Sequence, residues 1–254
     1  MSAPDVTVAP RARALAHVTA VGRFVFRYRD YLAPLGLLLI VAIARPQPFF
    51  ASERLDVWFD CFGLLVAAVG QALRIAVIGL AYITRGGVNK QLAANRLVCD
   101  GIYAHSRNPM YLGNFLLLTG LAMIYHSWIV YLVALPLYVL ALRTIVTSEE
   151  EFLRGKFGSE YDAYCRQVPR FVPRLRGLGA TVAAIPFDWR RVIRKEYGTT
   201  FAWTSVALAM IAWEQVTWYG LAAARDMLWV LGVIWLVVLG LYSIARWLKK
   251  TRRL

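Results

Sequence analysis

Residues 227–248 read MLWVLGVIWLVVLGLYSIARWL, a run with no charged side chain before Arg246. A helix needs about 20 mostly apolar residues to cross the hydrocarbon core of a bilayer, and this run meets that condition. The whole chain has the same character: of its 254 residues, 59% are hydrophobic and 17% charged, whereas soluble domains are about a quarter charged. These figures exclude an ordinary water-soluble enzyme and a disordered chain. We therefore expect an integral membrane protein.

Five further apolar stretches lie upstream of this run. Two of them, residues 110–125 and 128–147, are separated only by His126 and Ser127, which predicts a tight helical hairpin over residues 110–147. The fold class we predict is an all-α polytopic membrane protein with about six transmembrane helices, in which tilt accommodates the shorter spans. The remaining predicted spans are residues 32–50, 57–83, 199–219 and 227–248.

The basic residues provide an independent test of this map. Of 29 Lys and Arg residues, 24 lie on alternate loops, in residues 1–31, 84–109, 148–198 and 246–254. Because cytoplasmic loops are rich in Lys and Arg, both termini are expected in the cytoplasm, and the membrane is expected to be a bacterial inner membrane. The net charge of +14 then reflects topology. A nucleic-acid partner is not expected.

Residues 11–31 and 187–197 alternate apolar and basic side chains at helical spacing. This pattern is typical of amphipathic helices that lie on an anionic leaflet, although simple orientation signals, and for the first stretch a transit peptide, explain it as well. We expect three units: a basic interfacial segment over residues 1–31, a membrane core over 32–173, and a basic linker with two further spans over 174–254.

Several catalytic signatures are absent from the sequence. It contains no H-E-x-x-H, C-x-x-C or G-x-S-x-G, and its three histidines and three cysteines are scattered. No zinc or serine-hydrolase site, no Rossmann cofactor domain and no disulfide framework is predicted. We accordingly expect no metal centre, and interpret Asp60 as a solvated residue near the face opposite the basic loops.

Polar residues concentrate in two stretches on the predicted cytoplasmic side. The first, residues 85–111, reads RGGVNKQLAANRLVCDGIYAHSRNPMY, and the second, residues 148–173, reads SEEEFLRGKFGSEYDAYCRQVPRFVP. Because they flank the hairpin, its turn brings them together, and a helix begins near Pro109. The side chains expected to meet are Tyr103, Arg107, Tyr111, Glu149 and Glu150.

A helix N-terminus and an arginine bind a carboxylate, while carboxylates and aromatic faces attract a cation. The site therefore suits a small zwitterion, and a solvated charge run is an equally good interpretation of the spacing alone. Arg74 lies roughly three turns inside its predicted span, and an arginine at that depth indicates a functional site. Arg143 lies closer to the interface, where its side chain snorkels easily.

These stretches resemble the isoprenylcysteine carboxyl methyltransferase family, which is related to the phospholipid N-methyltransferases. The first family block appears as Leu97-Val98, Gly101-x-Tyr103 and Arg107-Asn108-Pro109-x-Tyr111-x-Gly113. The second appears as Glu149-Glu150-x-x-Leu153, Phe157-Gly158, Tyr161, Tyr164 and Val168-Pro169, and an earlier feature as Leu73-Arg74. The resemblance runs from about Gly70 to Pro173.

The resemblance implies an integral-membrane methyltransferase that transfers a methyl group from S-adenosylmethionine to a hydrophobic or lipid-like acceptor. Membrane lipids are the other partners that it implies. It implies catalytic roles for Arg74, Arg107 and Glu150, with Arg74 beside the acceptor. The cofactor contacts carried over from the family motifs are Gln91, Leu97, Val98, Tyr103, Asn108, Pro109, Met110, Tyr111, Glu149 and Glu150.

The sequence departs from the family pattern at two places. Asn108 stands where the family has histidine, which keeps a hydrogen-bonding side chain but removes a titratable ring. The acceptor-binding arginine about one turn before the acidic pair has no counterpart, since Ile145 falls near it and Arg143 lies on a different face. Carboxyl methylation of a prenylated cysteine, S-methylation of a small thiol, and a non-enzymatic membrane protein with a vestigial pocket therefore remain alternatives.

Overall fold

The structure is a computed structural model in which every regular element of the described residues is a helix. It describes residues 8–48, 53–80 and 96–251, with the side chains of residues 8–12, 33 and 53 excepted, and these ranges contain no strand. The helices are α1 (Val8–Ile43), α2 (Glu53–Leu80), α3 (Pro109–Ile124), α4 (Leu135–Phe157), α5 (Ser159–Gln167), α6 (Leu178–Ala184) and α7 (Trp189–Lys250). A 3₁₀ turn over Gly101–Ala104 precedes α3, and a π-helical turn over Val130–Ala134 leads into α4.

The all-α membrane fold is confirmed. Three helical runs are long and apolar enough to cross a membrane, Arg54–Leu80, Val130–Phe157 and Trp189–Lys250, and the shorter runs Pro34–Ile43 and Pro109–Ile124 are also apolar. Five of the six predicted spans fall largely within these runs, two of them in Trp189–Lys250, whereas the predicted span 32–50 shares only Pro34–Ile43 with them.

Helix α7 turns back on itself at Gly220. An unbroken helix of 62 residues would extend about 93 Å, three times the thickness of a hydrocarbon core. Gly220 has φ 78° and ψ 161°, a conformation that only glycine adopts freely. The second half returns along the first, so that Tyr242 stacks on Phe201 at 4.4 Å and Trp235 Nε1 donates to Ser205 at 3.1 Å.

The two stretches predicted as interfacial helices are parts of longer helices. Helix α1 runs without a break through the expected boundary at residue 31 and ends at Ile43 rather than at Phe50. A Cβ on Gly22 would lie 2.1 Å from the Thr144 carbonyl oxygen of α4, so this stretch contacts the bundle. Residues 189–197 form the first turns of α7, whose Asp188 cap accepts the Arg191 amide at 2.9 Å.

Helices α2 and α3 approach closely along a stripe of glycines. A Cβ on Gly70 would lie 2.6 Å from the Gly113 carbonyl oxygen, and one on Gly120 would lie 2.4 Å from the Gly63 carbonyl oxygen. Small residues at such positions let membrane helices pack backbone to backbone. This contact fixes the start of α3 beside Arg74, whose Cγ would lie 2.7 Å from a Cβ on Gly113.

The predicted hairpin is formed by α3, the turn at His126 and the run into α4. The π-helical turn, in which Leu135 N–H bonds to the Val130 carbonyl, lies directly before Pro136. Since proline has no N–H to donate and crowds the preceding turn, a local π-turn lets the helix pass this residue. The hairpin brings the start of α3 and the end of α4 to the same end of the bundle.

Candidate active site

The described part of the first polar stretch, residues 96–111, lies beside the second. The Arg107 amide donates to the Pro169 carbonyl at 2.9 Å, and the Ser106 hydroxyl donates to the Phe171 carbonyl at 2.9 Å. The Arg174 amide donates to the His105 carbonyl, also at 2.9 Å. The segment between the 3₁₀ turn and α3 is therefore held along the segment that follows α5.

Glu150, at the end of α4, joins three separate parts of the chain. Its Oε1 lies 3.2 Å from Arg107 NH1 and its Oε2 lies 3.0 Å from Arg170 NH2. Asn108 Nδ2 donates to Glu150 Oε1 at 3.3 Å and to the Arg170 carbonyl at 3.1 Å. Because two guanidinium groups and an amide already engage this carboxylate, Glu150 organises the site more than it offers a free charge.

Arg107 also donates to Cys165 Sγ of α5 at 2.8 Å. Burial alone would lower the pKa of Arg107, but the negative charge of Glu150 and the neighbouring Cys165 and Tyr161 raise it overall. Arg107 is thus a permanent cation. Within the described part of the chain, its Nε and the Nε of Arg170 are buried and have no hydrogen-bond partner.

Glu149 faces a different neighbour. Its Oε1 accepts the Tyr111 hydroxyl at 2.7 Å, across the hairpin from α4 to the first turn of α3. Asn108 occupies the N-cap position of α3 without a capping bond from its side chain, and Pro109 lies in the first turn, so the positive end of this helix points toward the same region. The side chain of Glu149 is only partly buried, in contrast to that of Glu150.

An aromatic cluster supports the base of the site. The Tyr164 hydroxyl donates to the Tyr103 carbonyl at 2.7 Å, and Leu97 packs against Tyr161, Tyr164 and Val168. Burial, with smaller contributions from Cys99, Tyr103 and Tyr161, raises the pKa of Tyr164, so that its phenol remains neutral and can donate. The ring of Tyr103 packs against the buried cluster of Val77, Leu80 and Ile102.

Arg74 lies deeper in the bundle, and each nitrogen of its guanidinium group has a side-chain partner. Its Nε and NH2 contact the two carboxylate oxygens of Glu196 at 2.9 and 2.8 Å, and its NH1 donates to Asn114 Oδ1. Gln71 Nε2 donates to the same carboxylate at 3.2 Å. The charge of Arg74 is therefore neutralised by a residue of α7, which the sequence-based boundary at residue 174 had separated from the core.

The structure thus brings Arg107, Asn108 and Glu150 into contact and pairs Tyr111 with Glu149. Leu97 and Val98 lie in the loop before the 3₁₀ turn, while Pro109 and Met110 open α3. Gln91 lies outside the described residues. Asn114, Arg170 and Glu196 were not identified as site residues from the sequence. Of the three, only Asn114 could have been recognised, because it is a polar residue within an apolar stretch, one turn beyond Tyr111.

A shallow apolar groove opens on the outer side of the α3–α4 hairpin. It is lined by Phe115, Tyr131, Leu135, Pro136, Val139 and Leu140. Its composition suits a hydrocarbon chain.

Comparison with known proteins identifies relatives of the central part of the chain. Residues 59–160 match the family of phospholipid methyltransferases. The protein-S-isoprenylcysteine O-methyltransferase of Schizosaccharomyces pombe is 37% identical over 78 residues, which are 30% of this chain and 33% of that protein. The resemblance to these methyltransferases is confirmed, and the protein is an integral membrane protein.

Two bacterial proteins also match. The nickel-cobalt-cadmium resistance protein NccN of Alcaligenes xylosoxydans xylosoxydans is 25% identical over 56% of this chain and 76% of its own length. The cobalt-zinc-cadmium resistance protein CzcN of Cupriavidus metallidurans is 35% identical over 54% of this chain and 62% of its own length. No solved structure matches the chain.

Proposed function

Because residues 59–160 match the phospholipid methyltransferases, we propose that this chain is an integral-membrane methyltransferase that uses S-adenosylmethionine and a hydrophobic, lipid-like acceptor. The observation that carries the proposal is the junction at Glu150, where both family motif blocks meet through Arg107, Asn108 and Arg170. When bound, S-adenosylmethionine supplies an activated methyl group on a sulfonium.

The donor set fits the chemistry of this cofactor. The buried Nε groups of Arg107 and Arg170 and the N-terminus of α3 suit a carboxylate. Glu149 suits an ammonium or a ribose diol, and the rings of Tyr103 and Tyr111 suit a sulfonium. The apolar side chains of Leu97, Val98, Pro109 and Met110 would line an adenine. Gln91 stays in the proposed cofactor set on the family resemblance alone.

Methyl transfer of this kind requires no metal and depends on alignment and on exclusion of water. Glu150 would act as a positioning residue, since it holds Arg107, Asn108 and Arg170 in place. Arg74 would orient the acceptor together with Glu196 as a neutral pair. That neutrality favours an acceptor whose polar group carries no net negative charge.

The acceptor would reach the site from the lipid phase along the groove of Val139 and Leu140, while the cofactor would approach from the opposite, aqueous side. Because cytoplasmic loops are rich in Lys and Arg, both termini and the cofactor side would face the cytoplasm, and the membrane would be the inner membrane of a bacterium. The neutral Arg74–Glu196 pair favours an amine or a thiol over a carboxylate as the acceptor group, and methyl-transfer assays assign it.

Calorimetric titration of the detergent-purified full chain with S-adenosylmethionine tests the proposal. We expect micromolar affinity for the wild type, at least about tenfold weaker binding in Glu149→Gln, and unchanged binding in the matched control Glu151→Gln, whose partner is Arg154. Absence of binding by folded wild-type protein would refute the methyltransferase assignment. Transfer of labelled methyl groups to lipid amines, prenylcysteine carboxylates or thiols then identifies the acceptor.

A further inference from the structure

A second polar cluster lies beyond the other end of α3. Asp60 of α2, His126 of the α3–α4 turn and Glu214 of α7 each place one ligand atom within 4.8 Å of the others. Helix α3 has 16 residues and so spans about 24 Å, which separates this cluster from Asn108 and Glu150 at the opposite end. The cluster is thus outside the proposed methyl-transfer site.

Burial makes the cluster unusual. Exposed fractions are 0% for His126, 2% for Glu214 and 3% for the nearby Asp56. Within the described residues, Glu214 Oε2 and Asp56 Oδ1 have no hydrogen-bond partner, and no Lys or Arg forms an ion pair with Asp56, Asp60 or Glu214. The unpartnered oxygens of Glu214 and Asp56, buried in this way, require a positive charge or a proton nearby.

The histidine is oriented between two carboxylates. His126 Nε2 lies 2.8 Å from Asp60 Oδ1, and His126 Nδ1 lies 3.8 Å from Asp56 Oδ1. A histidine that binds a metal through one ring nitrogen commonly faces a carboxylate with the other, which fixes the ring and its tautomer. Asp56 is the carboxylate nearest that second nitrogen, at a distance longer than a hydrogen bond, and a small shift would bring it into contact.

The backbone and the walls of the cluster hold the ring there. His126 has φ 48°, a left-handed conformation that is uncommon and costly for a histidine, and such strain concentrates at functional positions. Its carbonyl accepts the Gln47 amide at 2.8 Å. The rings of Phe59 and Trp218 stand edge-on to it at 5.5 and 5.7 Å and cover the imidazole.

We propose that Asp60, His126 and Glu214 bind a divalent transition-metal ion of the zinc type, with Asp56 orienting His126. One imidazole nitrogen and two carboxylate oxygens form a ligand set that zinc accepts, with a fourth position for water. Ligand atoms around a tetrahedral zinc are roughly 3.4 Å apart, so small side-chain shifts close the site.

The test is zinc titration of the dialysed full chain in detergent, measured by calorimetry and by metal analysis. We expect one Zn²⁺ per chain, with affinity at least about tenfold lower in His126→Ala and in Glu214→Gln. His17→Ala, which removes an exposed histidine, is the matched control and keeps wild-type affinity. Size-exclusion profiles and circular dichroism of each variant confirm its fold.

Failure of the folded wild type to bind zinc or cobalt(II), or unchanged binding in both variants, would overturn the assignment. Should the variants not fold, X-ray absorption of the zinc-loaded wild type decides the question. A shell of nitrogen and oxygen ligands with one imidazole supports the site, and a shell containing sulfur or several imidazoles contradicts it. S-adenosylmethionine binding in His126→Ala is expected to match that of the wild type, which separates this proposal from the proposed methyl-transfer function.

Discussion

Arg74 and Glu196, separated by 122 residues in sequence, form a two-pronged ion pair inside the helical bundle, with Nε–Oε2 and NH2–Oε1 distances of 2.9 and 2.8 Å. Only 6% and 2% of the two side chains are exposed. The pair ties α7 to α2 directly beside α3. The carboxylate of Glu196 thus neutralises the charge of Arg74 within the membrane-spanning bundle.

Loss of either member is expected to leave a buried, unpaired charge. Arg74→Met and Glu196→Leu should each destabilise the fold by about 3–5 kcal/mol, whereas the double variant should lose far less than the sum. A double-mutant cycle of unfolding in detergent measures this coupling. Glu151→Gln, which removes a partly exposed partner of Arg154, is the control and should change stability by less than about 1 kcal/mol. Additive losses from the single variants would contradict the pairing.

The Tyr111 hydroxyl is expected to fix the orientation of Glu149. Tyr111→Phe removes one hydrogen bond, worth about 1 kcal/mol, and so should weaken S-adenosylmethionine binding by about fivefold while it leaves the fold intact. Calorimetric titration gives the affinity. The control Tyr28→Phe removes the same hydroxyl group at an exposed position on α1 and should leave the S-adenosylmethionine affinity unchanged. Equal affinities for wild type and Tyr111→Phe would remove Tyr111 from the proposed site.

The close approach of α2 and α3 leaves no room for a side chain at Gly120. A methyl group there would lie 2.5 Å from the Ala67 amide nitrogen as well as close to Gly63, so Gly120→Ala should destabilise the protein by about 1–3 kcal/mol. Gly232→Ala, in the exposed second half of α7 with nothing within 4 Å of its Cβ, should instead stabilise it by about 0.5–1 kcal/mol. Opposite shifts in melting temperature are the expected signature.

The apolar groove beside the hairpin is expected to select the acceptor. Val139→Trp fills the groove with an apolar ring and should raise KM for a long-chain acceptor several-fold, with no change in S-adenosylmethionine affinity. Leu221→Trp, a similar change at an exposed position on α7, is the comparison. Initial rates against acceptor concentration decide the matter, and an unchanged KM in Val139→Trp would place the acceptor elsewhere.

Local sequence patterns predicted the all-α fold and the neighbourhood of Tyr111 and Glu149, because a two-residue turn at His126 leaves the hairpin few geometries. They could not predict Glu196 as the partner of Arg74, since in sequence it belongs to a basic stretch that reads as interfacial. The same holds for Asp60, interpreted from sequence as solvated. Its neighbours His126 and Glu214 come from distant parts of the chain, and only the tertiary arrangement brings them together.

Helix α3 is too short to cross a typical hydrocarbon core by itself. Its 16 residues span about 24 Å, less than the roughly 30 Å of such a core. Within α3 only Leu118 is exposed, so the neighbouring helices cover most of this helix. At least one of the turns at its ends therefore lies at membrane depth, where irregular backbone is stable because protein buries it. A start of α3 recessed in this way would shorten the path between a water-borne cofactor and a lipid acceptor at the proposed site.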